Sequence, residues 1–185
     1  TGDYSGPAGA RRVLRDRRVN AAVLETARGG ILRRGLAVMR TDVAVVTNVS
    51  ADHFGEYGIH DLDALADVKL TVGAAAVPGG WLVLNASDPQ LRSKVSGVQQ
   101  RFGRSLEIAW FTIDGVESVV AAHIAAGGAA CTLRGDRLLL WRAGVEHDLG
   151  PPPDMPLTAG GQARYNIANL AAAALAAVGL GIELA

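Results

Sequence analysis

Short apolar runs alternate with amphipathic stretches along the first part of the chain. Four of these runs are apolar on both faces and are bounded by charged residues or glycine. This pattern is typical of strands in a parallel sheet that is covered on both sides. The second run is rich in valine and threonine, which favour strands. The predicted strands cover residues 19–25, 42–48, 81–85 and 106–112.

The segments between these runs have apolar residues at helical spacing. Pro7 and the Asp88-Pro89 pair supply signals for the start of a helix. The predicted helices cover residues 8–16, 61–77, 88–98 and the alanine-rich stretch 165–178. Alternation of strands and helices predicts an α/β fold, with an open, mainly parallel sheet and helices on both faces.

The pattern changes between residues 118 and 149. Gly135-Asp136 separates two apolar runs and predicts a hairpin turn, so residues 113–150 are interpreted as a small antiparallel appendage on the sheet edge. Three consecutive prolines at 151–153 predict a stiff connector. The chain has 185 residues and is 49% hydrophobic, which is enough for one domain but too short for two. Residues 1–185 are therefore interpreted as a single domain.

Charge and cysteine content argue against several classes of protein. Eighteen Lys and Arg residues balance 18 Asp and Glu residues, so the basic excess expected of a nucleic-acid-binding protein is absent. No apolar run approaches the roughly 18 residues needed to span a bilayer. The single cysteine, Cys131, cannot form an internal disulfide and favours a cytoplasmic setting. Because the chain begins with Thr1, we expect a piece of a longer protein.

Polar residues gather where the predicted strands end. Glu25 closes the first strand, Thr47-Asn48 the second and Asn85 the third, with Ser87-Asp88 following. Ligands bind at the carboxyl ends of parallel strands, so this edge is the candidate site. Loops are polar in any protein, and the pattern alone leaves an ordinary solvated edge as an equal interpretation.

Lys69 falls near the middle of the apolar stripe on the predicted helix 61–77. A charged ammonium on a core-facing stripe is costly unless it is paired, coordinated or chemically changed. One interpretation is a lysine that extends to the rim of the core or pairs with Glu25 or Asp52. The other is a divalent-metal and phosphate site built from an acid, a histidine and this lysine.

Other candidate features are weaker. Gly29-Gly30 follows a predicted strand and could bind an anion through its amides, but it fits neither a dinucleotide-binding nor a P-loop pattern. The opening segment, residues 3–7, could line a substrate pocket or form a plain turn. Three histidines lack metal-ligand spacing with one another, and they are His60, His123 and His147.

Five segments, in order and at matching spacing, resemble Mur ligases. Residues 23–35 (VLETARGGILRRG) resemble a segment characteristic of the Mur-ligase-like part of cyanophycin synthetases. The other four are similar to segments that Mur ligases share: 42–53 (DVAVVTNVSADH), 66–69 (ADVK), 82–89 (LVLNASDP) and 164–169 (RYNIAN). The chain therefore resembles a Mur ligase central domain of the cyanophycin synthetase branch.

This resemblance implies an ATP-dependent amide-bond ligase that uses ATP and Mg²⁺. In that family the γ-phosphate goes to a substrate carboxylate and an amino group then attacks the acyl phosphate. Magnesium and fixed donors offset the repulsion between the carboxylate and the polyphosphate. In the cyanophycin branch, arginine is joined through its α-amine to the side-chain carboxylates of a polyaspartate backbone. The implied partners are small-molecule and peptide substrates, with no nucleic acid and no membrane.

The resemblance also implies roles for individual residues. Glu25, His53 and Lys69 match the catalytic and metal-binding positions, with Lys69 as a carbamate whose anionic oxygen suits a place near the metal. Asn166 and Asn169 match positions that contact adenine. Segments peculiar to the cyanophycin branch imply contact with substrate or phosphate for five more residues: Asp3, Tyr4, Ser5, Arg28 and Gly29.

The chain also departs from the family pattern. The P-loop of this P-loop NTPase-like domain should lie upstream of Thr1, and the third Mur domain should follow Ala185. Tyr165 stands where Mur ligases often carry histidine. We therefore expect little or no ligase activity from this chain alone, and an uncovered sheet edge that invites homo-oligomerisation. Two alternatives stay open: another Mur-type ligase, for a peptidoglycan precursor or folylpolyglutamate, and a non-catalytic Mur-like binding module.

Overall fold

The computed structural model describes residues 7–51, 55–114 and 118–184 of the chain. Within these ranges six strands form one sheet whose spatial order follows the chain order. The strands are β1 (Thr41–Val46), β2 (Ala76–Asn85), β3 (Glu107–Thr112), β4 (Ala129–Arg134), β5 (Arg137–Arg142) and β6 (Val145–Gly150). Strands β1 to β4 are parallel, while β5 and β6 join in antiparallel orientation.

A helix lies in each connection between the parallel strands, as parallel pairing requires. The helices are α1 (Pro7–Leu14), α2 (Arg28–Arg34), α3 (Leu62–Leu70), α4 (Pro89–Phe102), α5 (Ser118–Ala125) and α6 (Arg164–Gly179). Short 3₁₀ turns cover Glu56–Gly58, Thr71–Ala75 and Pro152–Asp154.

Helices pack on both faces of the sheet, which confirms the predicted α/β class. On one face, α3 and α4 contribute buried side chains such as Leu70 and Leu91 to a cluster under β1, β2 and β3. On the other face, α6 contributes Ile167, Ala171 and Leu175 to a second cluster. The core is therefore split by the sheet into two apolar layers, and the polar strand ends remain at the sheet edges.

Capping residues account for the helix boundaries. The Asp61 carboxylate accepts a hydrogen bond of 2.7 Å from the Ala64 amide at the start of α3. Helix α4 begins at the predicted Asp88-Pro89 signal and ends at Gly103, whose φ of 61° is the left-handed conformation that closes helices. The predicted helix 61–77 is shorter than expected, because its last turn tightens into the 3₁₀ turn and β2 begins at residue 76.

Residues 19–25 do not form the predicted buried strand. The segment has no assigned helix or strand, and none of its side chains is buried, with Val23 96% exposed. Within the described residues β1 pairs with β2 alone, so the run has no ladder partner for its backbone groups. The following residues form α2, a helix that the sequence did not predict.

The stretch from 113 to 150 combines three kinds of structure. Its described part holds helix α5, which the sequence did not predict, and then β4, which continues the parallel sheet beside β3. The hairpin turn at Gly135-Asp136 is confirmed, since β4 and β5 pair in antiparallel orientation on either side of it. A second turn, Ala143-Gly144, has φ values of 51° and 79° and links β5 to β6.

None of the helices in the described residues is both long and apolar enough to cross a membrane.

Candidate functional site

The carboxyl ends of β1, β2 and β3 lie at one edge of the sheet, because the three strands are parallel. Polar segments follow each of them, at residues 47–50, 85–88 and 112–114. The first residue of α6, Arg164, reaches the same edge by donating to the carbonyl of Ile113. Of the three predicted polar strand ends, the structure brings together the two that follow β1 and β2, whereas Glu25 ends no strand. We call the region formed by residues 47–50, 85–88, 112–114 and Arg164 the carboxyl edge.

A chain of side-chain hydrogen bonds joins β2, β3 and α6 at the carboxyl edge. The Ser87 hydroxyl lies 2.8 Å from the Thr112 hydroxyl and donates to Asp114 at 3.1 Å. Asp114 accepts a second bond, of 2.9 Å, from the Arg164 guanidinium. Arg164 also donates to the Ile113 carbonyl at 3.2 Å. The start of α6 is therefore tied by charge-assisted bonds to the loop after β3.

Asp88 ties the loop after β1 to the loop after β2. Its side chain is only 7% exposed. One carboxylate oxygen accepts from the amides of Gln90 and Leu91 at 2.9 and 3.2 Å, which caps α4. The other accepts from the Val49 amide at 2.5 Å. A buried carboxylate is stable only with such partners, so Asp88 anchors the backbone at Val49, just after β1.

Lys69 lies on α3 with its side chain half-buried. Its neighbours Leu65, Ala66 and Leu70 are fully buried, as the apolar stripe predicts. The lysine Nζ donates a hydrogen bond of 3.0 Å to the carbonyl of Asn48. The side chain therefore extends from the stripe to the carboxyl edge, where its nitrogen meets the backbone just after β1.

Glu25 is exposed on the segment that precedes α2. It lines a shallow cavity of about 160 Å³ together with residues of α2 that include Gly30, Arg33 and Arg34. Helix α2 packs against α3, the helix that carries Lys69. The acidic residue and the lysine thus lie on segments that are joined by a helix–helix contact.

Gly29 and Gly30 lie inside α2 rather than in an open loop. The Gly30 amide donates to the Ala27 carbonyl at 2.9 Å, and the Gly29 carbonyl accepts from the Arg33 guanidinium at 3.0 Å. The anion cradle considered from the sequence is therefore not formed by the Gly30 amide, which the helix already uses. Arg28 is the first residue of the same helix.

Four of the predicted site residues lie outside the described residues: Asp3, Tyr4, Ser5 and His53. Within the part of the chain that is described, no group of three or more His, Cys, Asp or Glu side chains is placed to hold a metal ion. Mg²⁺ commonly keeps several waters and binds through one or two carboxylates plus substrate phosphates. An exposed acid such as Glu25 suits that sparse set of protein ligands.

Asn166 and Asn169 lie in the first two turns of α6, three residues apart on one side of the helix. Asn166 is half-buried and donates through its amide to the Leu157 carbonyl at 2.7 Å. Asn169 is exposed, and Tyr165 beside them is 71% exposed. Asparagine amides can pair with the hydrogen-bonding edge of adenine, so this donor set suits a nucleotide base.

Two further features carry no chemistry at the carboxyl edge. Burial raises the pKa of the Cys131 thiol, which makes it a poor nucleophile. A cavity of about 290 Å³ lies between α3 and α4 and is lined by charged residues that include Asp67, Lys94 and Arg101. Lys94 bridges Asp63 and Asp67 at 2.9 Å each, so this cavity lies beside a structural ion network.

Sequence reasoning missed the contacts of Asp88, Asp114 and Arg164. The sequence places Asp88 at a polar strand end and at the start of a helix, and Arg164 within a family-like motif, but neither pattern indicates which residues they contact. Arg164 and Asp114 are 50 positions apart, and nothing in their local sequence signals that they meet. The polar residues that end β1 and β2 indicate the edge in the sequence, but they do not indicate which residues meet there.

Comparison with known proteins gives matches along nearly the whole chain. The family model for the Mur ligase middle domain matches residues 7–177. The chain is 40% identical over 177 residues to the cyanophycin synthetase of Nostoc sp., covering 96% of this chain and 19% of that protein. It is 37% identical over 183 residues to the cyanophycin synthetase of Synechocystis sp., covering 99% and 20%.

More distant relatives have related names. The UDP-N-acetylmuramoylalanine–D-glutamate ligase of Chlorobium limicola is 28% identical over 163 residues, covering 80% of this chain and 30% of that protein. The crystal structure of MurF from Acinetobacter baumannii matches with a TM-score of 0.65 and 20% identity, covering all of this chain and 37% of that one. At this identity the likeness shows the fold alone. The chain spans about a fifth of the length of the cyanophycin synthetases it matches.

Proposed function

This chain belongs to the Mur ligase middle-domain family, and from that membership we propose that it is the ATP-handling part of an ATP-dependent amide-bond ligase. The observation that carries the proposal is its identity to proteins named cyanophycin synthetase along nearly its whole length. We further propose that the whole protein is cytoplasmic and joins arginine, through the α-amine, to aspartate side-chain carboxylates of a polyaspartate chain. Homo-oligomerisation belongs to the same proposal.

The metal-binding residues in this proposal are Glu25, His53 and Lys69, with Lys69 carrying a carbamate. Two contacts support it. Lys69 already reaches the carboxyl edge, where its Nζ bonds the Asn48 carbonyl. Glu25 precedes the helix that packs on α3. After the ammonium loses a proton, the neutral amine attacks carbon dioxide and releases a second proton, and the resulting carbamate offers the anionic oxygen that Mg²⁺ prefers. Bound magnesium supplies charge neutralisation for the phosphates.

The nucleotide-binding residues in this proposal are Asn166 and Asn169 at the start of α6. Two observations support this role. The Asn169 side chain is exposed, and the orientation of the Asn166 side chain is fixed by its hydrogen bond to the Leu157 carbonyl. Substrate or phosphate contact is proposed for Arg28 and Gly29, which begin α2 beside the Glu25 cavity, and for residues 3–5.

The proposed reaction proceeds in two balanced steps. A carboxylate oxygen of the acceptor attacks the γ-phosphorus of ATP, and ADP leaves. The α-amine then attacks the carbonyl carbon, loses a proton, and expels phosphate, which keeps the oxygen that came from the carboxylate. The task of this chain is electrostatic and positional: it brings two anions together and orients them. In this proposal the nucleotide is held at the start of α6, and the acceptor is held near α2, the helix that packs against the Lys69 helix.

The test is substrate-dependent ADP formation by the full-length protein. Arginine, lysine, glutamate and alanine are each supplied with an aspartate-containing peptide, and Lys69→Ala is compared with Lys94→Ala as the control lysine of the structural ion network. We expect formation of ADP and amide with arginine, and loss of at least about 100-fold in Lys69→Ala, the scale on which metal-site residues act. ADP formation with no preference for arginine would refute the proposal that arginine is the amino acid added.

The relatives named UDP-N-acetylmuramoylalanine–D-glutamate ligase favour a second candidate, a ligase of the same chemistry acting on a peptidoglycan precursor. Glutamate incorporation when UDP-N-acetylmuramoylalanine replaces the aspartate-containing peptide as acceptor would identify it. An inactive full-length protein that is folded and contains a P-loop would instead identify a binding module.

A further inference from the structure

Helix α6 starts without the features that normally stabilise a helix N-terminus. Ala163, at the N-cap, provides no side-chain hydrogen bond, and the first turn contains no acidic residue. The first residue is instead Arg164, a cation placed at the positive end of the helix dipole, where positive charge is unfavourable. Local rules of this kind are broken mostly at functional positions.

The loop before α6 is also unusual. Leu157 and Ala159 have φ values of 69° and 50°, a left-handed conformation that residues other than glycine rarely adopt. Thr158 between them is fully buried, and its hydroxyl lies within hydrogen-bonding distance of two carbonyl oxygens, 2.6 Å from that of Pro152 and 2.9 Å from that of Met155. The loop is therefore held in one conformation, and the Leu157 carbonyl is presented to the Asn166 amide at 2.7 Å.

Two side chains of the first turn donate to groups outside the helix, and these contacts hold the turn in place without capping its backbone amides. Arg164 bonds Asp114 and the Ile113 carbonyl, and Asn166 bonds the Leu157 carbonyl. Asp114 is held in turn by Ser87 at the end of β2. The charge of Arg164 is therefore paired with Asp114 in the loop after β3 rather than within its own helix, and this loop sets the direction of the first turn.

We propose that Arg164 is a positioning residue that fixes the first turn of α6 for nucleotide binding. It acts through Asn166 and Asn169 and makes no contact with the reacting atoms. Asp114 accepts the hydrogen bond that keeps the Arg164 side chain in place. The inference rests on the proposed function for the identity of the ligand, but the ordering of the first turn by Arg164 is a property of the protein without nucleotide.

A matched control exists in the same chain. Arg101 of α4 also bonds one carboxylate oxygen and one backbone carbonyl, both of Asp67, at 2.7 and 3.0 Å. It lies at the end of α4, away from the carboxyl edge. Arg164→Gln and Arg101→Gln therefore remove equivalent bonds, one at the proposed nucleotide helix and the other in the α3–α4 ion network.

The test combines amide hydrogen exchange with ATP binding in the full-length protein. We expect faster exchange of the residue 165–169 amides in nucleotide-free Arg164→Gln than in Arg101→Gln, and a rise of about 3- to 5-fold in the ATP dissociation constant for Arg164→Gln alone, as expected for one partly exposed charged pair. The double variant Arg164→Asp, Asp114→Arg should recover part of both effects.

Equal exchange of these amides in Arg164→Gln and wild type would overturn the positioning role whether or not ATP binds. Changed exchange with an unchanged ATP dissociation constant would also overturn it, because the ordering would then serve stability alone. A wild-type protein that does not bind ATP would refute the proposed function, which is a separate result.

Discussion

Asp88 is expected to be the most sensitive polar residue of the carboxyl edge. Asp88→Ala removes the acceptor for three backbone amides, those of Val49, Gln90 and Leu91. Loss of the helix cap costs about 1 kcal/mol, and leaving the Val49 amide unpaired in a partly buried position costs about 1–3 kcal/mol more. We therefore expect a decrease of about 2–4 kcal/mol in the free energy of unfolding.

Urea unfolding of the chain, followed by circular dichroism, measures this decrease. With a slope of about 2 kcal/mol per molar urea, the midpoint should fall by about 1–2 M. The control is Asp61→Ala, which removes a cap with one amide partner at an exposed position, so it should cost only about 1 kcal/mol. If Asp88→Ala is no more destabilising than Asp61→Ala, the link between Asp88 and the loop after β1 is refuted.

Three other predictions concern positions away from the carboxyl edge. Gly80→Ala places a Cβ 2.8 and 2.9 Å from two backbone oxygens, so it should lower the free energy of unfolding by about 1–3 kcal/mol. Gly97→Ala has open space around it inside α4 and should raise the free energy of unfolding by about 0.4–1 kcal/mol. Urea unfolding measures both changes. Because burial raises the pKa of Cys131, a disulfide reagent at pH 8 should label it only after denaturation, and rapid labelling of native protein would contradict its buried position. The Arg137 guanidinium and the Gly150 amide hold the pKa of Asp148 below its ordinary 3.8. This carboxylate therefore stabilises the fold above about pH 4, and the contribution is lost as the pH falls further. Arg137→Gln should narrow the difference between the melting temperatures at pH 7 and pH 3, and an unchanged difference would show that the pair contributes nothing.

The sequence predicted those parts of the fold that depend on local pattern. The β-branched run at 42–48 and the apolar runs at 81–85 and 106–112 became β1, β2 and β3. Asp88-Pro89 marked the start of α4 because the capping signal is local. Helix α2 could not be predicted from local pattern because Gly29-Gly30 has low helix propensity, whereas in the fold the helix contacts α3.

Features that depend on distant partners could not be predicted in the same way. The run at 19–25 has the composition of a buried strand, but composition cannot show whether a neighbouring strand is available for pairing. At the candidate site, the sequence pointed to the strand ends and to Lys69. It could not reveal that Lys69 meets Asn48, or that Arg164 crosses to Asp114, because those contacts depend on how the sheet and α6 pack.

The central claim is that this domain serves a ligase that activates a carboxylate with ATP. The most direct test supplies the full-length protein with ATP, arginine and an aspartate-containing peptide whose side-chain carboxylates carry oxygen-18. Transfer of one labelled oxygen to each phosphate released, with formation of the arginine amide, is the predicted result. Phosphate that contains no oxygen-18, from a protein that still forms the amide, would contradict the acyl-phosphate route and with it the account given for the carboxyl edge.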